Sequence, residues 1–178
     1  MKLSSNTWNP TESSGLALWL AYNTGISTVL GKVTQWSNYL TGSSDRFIQL
    51  TETNQPLFSD ETDTKYGVDF DGADNYLIGP QYTLSGAFTI GLKFTVQDAN
   101  ASNDVITGDL TTLNNWIRLN DGDTLGIKTT GGQKTINLDS TVFDQNDTAH
   151  LVVSRNAENL LEIWVNGAKQ TNSATSEG

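Results

Sequence analysis

A chain of 178 residues with 20 acidic against 10 basic side chains, a net charge of −10 and no cysteine excludes a disulfide scaffold, a thiolate metal centre and a cysteine nucleophile. The charge also argues against nucleic acid, whose phosphates are held by clustered Lys and Arg that release counterions. No apolar run approaches the roughly 20 residues needed to cross a bilayer, and Met1 to Pro10 is polar where a signal peptide needs an apolar stretch, so no membrane partner is expected. The length suits one domain, placed at residues 15–178 behind a polar arm, residues 1–14.

Along the chain the dominant pattern is alternation with a period of two, the mark of strands with one buried face. Strands are predicted over Leu16 to Tyr22, Thr34 to Asn38, Arg46 to Thr51 and Val68 to Asp71. The clearest follows, Phe88 to Val96, in which Phe88, Ile90, Leu92, Phe94 and Val96 alternate with Thr, Gly, Lys and Thr. Further strands are predicted over Asp104 to Gly108, Trp116 to Leu119, Thr124 to Thr129, Gln133 to Leu138 and His150 to Arg155. Leu161, Ile163 and Val165 alternate up to Asn166-Gly167, a strong hairpin signal because both residues tolerate positive φ, and a return strand should run from Ala168 to Thr171. Short strands separated by Gly, Asn and Asp read as an all-β sandwich or barrel. Helix is expected only as short turns near Ser27 to Leu30 and after Ser140. The expected core is Leu18, Phe70, Phe88, Ile90, Leu92, Phe94, Leu151, Val153, Ile163 and Val165.

A series of spaced features makes the fold more specific. Gly15-Leu16-Ala17-Leu18-Trp19-Leu20 is followed by Val33 to Asn38, by Gln49 with Gln55-Pro56, and by Val68-Asp69-Phe70-Asp71-Gly72 leading to Asn75-Tyr76-Leu77. Then come Phe88-Thr89-Ile90, His150 to Arg155 and Ile163 to Gly167. In order and spacing, from Gly15 to Gly167, this series resembles the LamG-like, concanavalin A-like jelly-roll domains of phage virion proteins and bacterial surface proteins. The resemblance implies an antiparallel two-sheet jelly roll, a lectin-like structural role in a virion as a decoration, tail or fibre component, and neighbouring virion or surface proteins and glycans as partners. Two departures stand out: Ala21 replaces an Asp common after the Trp-Leu pair, and the family's closing strands would lie beyond Gly178, so a longer chain or an oligomer is expected to cover the open edge.

For chemistry, Asp69 and Asp71 would lie about 6.6 Å apart on one strand face at ~3.3 Å per residue, inside the roughly 6.5 to 9.5 Å span of an inverting glycosidase pair. Alternation turns both outward, however, and the Glu-x-Asp-x-Glu-like run of related jelly-roll glucanases is missing. His150 is the single histidine and lacks a Gly-x-Ser-x-Gly nucleophile elbow. A non-catalytic module is therefore expected, with a glycan-cleaving hydrolase as the alternative. No resident cofactor is expected; a metal held by this composition would be a hard, oxygen-bound ion such as Ca²⁺. Its candidate loops are Asp98, Asn100, Asn103 and Asp104; Asp71, Asp74 and Asn75; and Asp121 with Asp123, all of which are equally ordinary turn residues. Glycan contacts are assigned to rings set among amides: Tyr39 in Trp36-Ser37-Asn38-Tyr39, and Asn114, Asn115 and Trp116 in Leu113-Asn114-Asn115-Trp116.

Overall fold

The computed structural model describes residues 14–40, 42–59, 67–96, 104–108, 115–129, 132–139 and 146–175. These residues form an all-β protein, with a single 3₁₀ turn over Glu52–Asn54. The chain divides into two compact units, Met1–Gln81 and Tyr82–Gly178.

The first unit is a five-stranded antiparallel sheet: β1 (Ile26–Val29), β2 (Lys32–Ser37), β3 (Arg46–Ile48), β4 (Leu57–Ser59) and β5 (Gly67–Asp69), in the order β1-β2-β4-β5 with β3 also on β2. The expected helical turn at Ser27 to Leu30 is instead β1 and the start of a hairpin. Ile26, Thr28 and Val29 are β-branched and favour the extended backbone, and Leu30 (φ 51) with Gly31 (φ 79) makes the tight turn. Leu16 to Tyr22 does not form the expected strand. Its backbone is tied by a side chain: Asn38 Oδ1 accepts the Trp19 N–H at 3.0 Å, and its Nδ2 donates to the Ala17 carbonyl at 3.0 Å. Phe70, expected in the core, is 42% exposed, because β5 ends at Asp69 and the alternation stops with it.

The second unit is a sandwich of two antiparallel sheets. One carries β7 (Asp104–Gly108), β8 (Trp116–Asp121), β9 (Thr124–Thr129) and β10 (Gly132–Asn137) in the order β10-β9-β8-β7. The other carries β6 (Phe88–Thr95), β11 (Thr148–Arg155), β12 (Leu160–Val165) and β13 (Ala168–Lys169) in the order β13-β12-β11-β6, with β14 (Ala174–Thr175) also on β12. Inward rows of both sheets, including Ile117, Leu119, Leu125 and Ile127 from one and Leu151, Val153, Leu161, Ile163 and Val165 from the other, meet in one apolar cluster. Burying an aliphatic side chain there contributes about 1.5 to 3 kcal/mol. Phe88, Ile90, Leu92 and Phe94 pack against this cluster but are only half-buried, and Leu18 in the first unit is half-buried as well.

Asn and Arg side chains join the elements. The predicted turn closes on Asn166 (φ 51) and Gly167 (φ 82). Asn166 N–H donates to the His150 carbonyl at 2.8 Å, and Asn166 Oδ1 accepts the His150 N–H at 2.9 Å, so a side chain completes the β11–β12 ladder where the backbone turns away. Arg155, 2% exposed, donates from Nε to the Gly86 carbonyl at 2.7 Å and from Nη2 to the Leu84 carbonyl at 3.3 Å. Burial of a guanidinium requires such acceptors, and these fix the approach to β6. The expected helical turn after Ser140 lies outside the described residues.

Candidate functional site

Tyr39 follows directly on β2 and the buried Asn38. Its N–H donates to the Trp19 carbonyl at 2.8 Å, and its ring meets the Trp19 ring edge-on, with centroids 4.9 Å apart and planes at 88°. The T-shaped arrangement sets the positive edge of one ring on the negative face of the other. Trp36 is held nearby in sequence by its Nε1–H, which donates to the Ala21 carbonyl at 2.9 Å. The Tyr39 side chain is nevertheless 47% exposed. The first unit thus presents a braced, half-exposed aromatic ring.

Trp116 is placed differently. It is 9% exposed, and alternation along β8 sends Ile117 and Leu119 into the core while Trp116, Arg118 and Asn120 share the outer face. The Arg118 guanidinium stands 4.0 Å from the Trp116 ring centroid and is oriented by donating from Nε to Asn120 Oδ1 at 2.8 Å. Beneath, the ring takes the space that a side chain at Gly126 would need: a Cβ there would sit 2.8 Å from Trp116 Cζ3. Trp116 is therefore packed between a cation and a glycine. Asn115 is exposed, and Asn114 lies outside the described residues. Tyr39 and Trp116 belong to different units.

A second aromatic–cation pair occurs on the outer face of the other sheet, where Lys169 Nζ is 5.6 Å from the Trp164 ring centroid and also pairs with Glu162. Sequence reasoning missed both pairs. The second had a signal, since Trp164 and Lys169 face each other across the Asn166-Gly167 turn.

The acids are engaged in turns. Asp71 Oδ1 accepts the N–H groups of Ala73, Asp74 and Asn75 at 3.0, 3.2 and 3.2 Å, and these bonds, that of Ala73 foremost, hold its carboxyl below the ordinary value of 3.8. Asp121 is lowered in the same direction, chiefly by the Thr124 hydroxyl and then by Asp123. Asp69 closes β5 whereas Asp71 heads the turn after it. His150 is exposed on β11 opposite Lys93 of β6. Among the described residues no three His, Asp or Glu side chains gather to hold a metal. The Asp98, Asn100 and Asn103 loop lies outside the described residues, as does the Asp104 side chain.

No protein-family model matches the chain, and comparison with curated proteins and with solved structures likewise finds no match.

Proposed function

We propose that the chain is a non-catalytic, lectin-like structural module of a phage virion, a decoration, tail or fibre component, built on a concanavalin A-like jelly roll and binding surface glycans through Tyr39. The observation that carries the glycan reading is the half-exposed Tyr39 ring, braced edge-on by Trp19. A rigid ring with an open side stacks on the apolar face of a sugar at little entropic cost. Trp116 belongs to the scaffold in this reading, since a sugar would have to displace Arg118 to reach its ring. The two-sheet antiparallel sandwich of the second unit supports the jelly roll, as does the spaced series from Gly15 to Gly167.

A structural rather than hydrolytic role is supported by the carboxyls. Asp71, one of the two candidate acids, is committed to its own turn, its Oδ1 accepting the N–H groups of Ala73, Asp74 and Asn75. The cysteine-free chain suits a virion protein assembled in a host cytoplasm, with virion or surface proteins as neighbours.

Binding to a panel of bacterial surface polysaccharides tests the proposal. Tyr39→Ala should weaken binding about tenfold or more, a loss of ~1.4 kcal/mol, with an unchanged circular-dichroism spectrum. Polysaccharide binding that survives Tyr39→Ala would remove the site; reducing-sugar release abolished by Asp69→Asn or Asp71→Asn would replace the module with a hydrolase.

A further inference from the structure

β6 ends its sheet in the order β13-β12-β11-β6. Val96 donates its N–H to the Asp147 carbonyl at 3.1 Å and accepts the Asn146 N–H at 2.7 Å, so both its backbone groups face β11. Backbone groups alternate in direction along a strand, so those of Thr89, Gly91, Lys93 and Thr95 point away from β11. Among the described residues, no strand pairs with that side. The four residues are exposed, and β6 runs eight residues against β11 without a register shift.

Such an edge is ordinarily blunted by a bulge, a proline, a charged side chain, lysine above all, or brevity. The second unit shows two of these devices elsewhere: β7 shifts register between Val105 and Thr107, and β13 and β14 are two residues each. β6 carries no bulge, proline or inward charge and is eight residues long; its one guard is the exposed Lys93, a charge of the kind that discourages edge pairing. The apolar row beneath is partly exposed. Leu151, Val153, Leu161 and Ile163 are fully buried, while Phe88, Ile90, Leu92 and Phe94 are half-covered.

We infer that β6 pairs antiparallel with β6 of a second copy of this chain, about a two-fold axis through Leu92. That register uses every outward backbone group, because Thr89 then meets the second copy's Thr95 and Gly91 meets its Lys93. A two-fold axis normal to the sheet keeps the two apolar rows on one face, with Leu92 against Leu92 and Ile90 against Phe94. Side chains fit by size and charge: Lys93 lies over a residue with no side chain and never faces another Lys93. The hydroxyl pairs would repeat those already made on the other side of the strand, where Thr95 meets Thr148 at 3.0 Å and Thr89 meets Ser154 at 3.2 Å. The inference stands apart from glycan binding.

Residue 91 gives the test, because a Cβ there meets nothing within 4 Å and substitution leaves the monomer intact. Gly91→Lys sets two lysines opposite each other twice in the dimer, and Gly91→Glu sets a carboxylate against Lys93 twice. Sedimentation of the 178-residue chain over about 1 to 100 µM should show a dimer whose dissociation constant rises roughly tenfold in Gly91→Lys and falls several-fold in Gly91→Glu. Adding Lys93→Glu to Gly91→Lys turns both like-charge contacts into opposite-charge ones and should bring the dissociation constant to the parent value or below it. A chain that stays monomeric throughout this range, or a dimer indifferent to the sign of the charge at residue 91, overturns the inference.

Discussion

Asp139 and Thr171, 32 positions apart, are joined by three hydrogen bonds: the Thr171 N–H lies 3.0 and 2.9 Å from the two carboxylate oxygens, and its hydroxyl donates to Oδ2 at 3.0 Å. Gln170 reinforces the clasp by accepting the Asp139 N–H at 2.9 Å. The chain just past β10 is thereby fastened to the chain just past β13, across the two sheets of the sandwich. Asp139→Ala strips both Thr171 donors of their acceptor and should cost about 1 to 2 kcal/mol, read as a lower urea midpoint at unchanged m-value; Asp139→Asn should cost less.

Leu151→Ala should destabilise by about 2 to 5 kcal/mol, because its side chain is fully buried between the sheets and a cavity remains. Phe94→Ala, at a half-buried position, should cost less than the roughly 3 to 5 kcal/mol of a fully buried ring. Denaturant melts ranking the two in the opposite order would place the centre of the core at β6.

Two glycines should fail for different reasons. Gly167→Ala meets no atom within 4 Å but must adopt φ near +82, a left-handed conformation costing about 1 to 2 kcal/mol. Gly126→Ala drives a methyl group into the Trp116 ring, an overpacking worth about 1 to 3 kcal/mol. Only the second should change tryptophan emission, since it alone moves an indole.

Acid should weaken the Asp71 turn. Its carboxyl is lowered in the folded chain, so the stability it contributes is complete well above the ordinary value of 3.8 and is lost as pH falls through and below it. Asp71→Asn should flatten the pH dependence of stability in that window and leave it unchanged near pH 7, a comparison that denaturant melts at several pH values make directly.

The strands of the sandwich were legible where alternation was strong: Thr124 to Thr129 is β9 as predicted, and Phe88 to Val96 differs from β6 by one residue. β1 was illegible because only Ile26 of its four residues turns toward cover, leaving no alternation to read. β4, three residues long, is too short for a period to register. Leu16 to Tyr22 misled for another reason. Its apolar composition is strand-like, but it is held by the Asn38 side chain, 19 and 21 positions away, by the Trp36 indole and by the Tyr39 N–H rather than by a strand ladder. Of the candidate site, amides beside a ring in sequence do not tell its exposure, since Tyr39 is 47% exposed and Trp116 9%; the enclosure of Trp116 depends on Gly126 and Arg118, whose approach requires the β8–β9 register.

The doubled hydrogen bond between Asn166 and His150 also bears on how the molecule ages. In an Asn-Gly pair the glycine nitrogen attacks the preceding side-chain amide carbon, expelling ammonia and closing a succinimide ring that water opens to aspartate or isoaspartate. Here the amide oxygen is committed to the His150 N–H and the backbone is locked in the turn, so the carboxamide is held in place against ring closure. Intact hairpins should keep their asparagine through long storage, while chains that have lost β12 convert, making isoaspartate at residue 166 a chemical record of past unfolding.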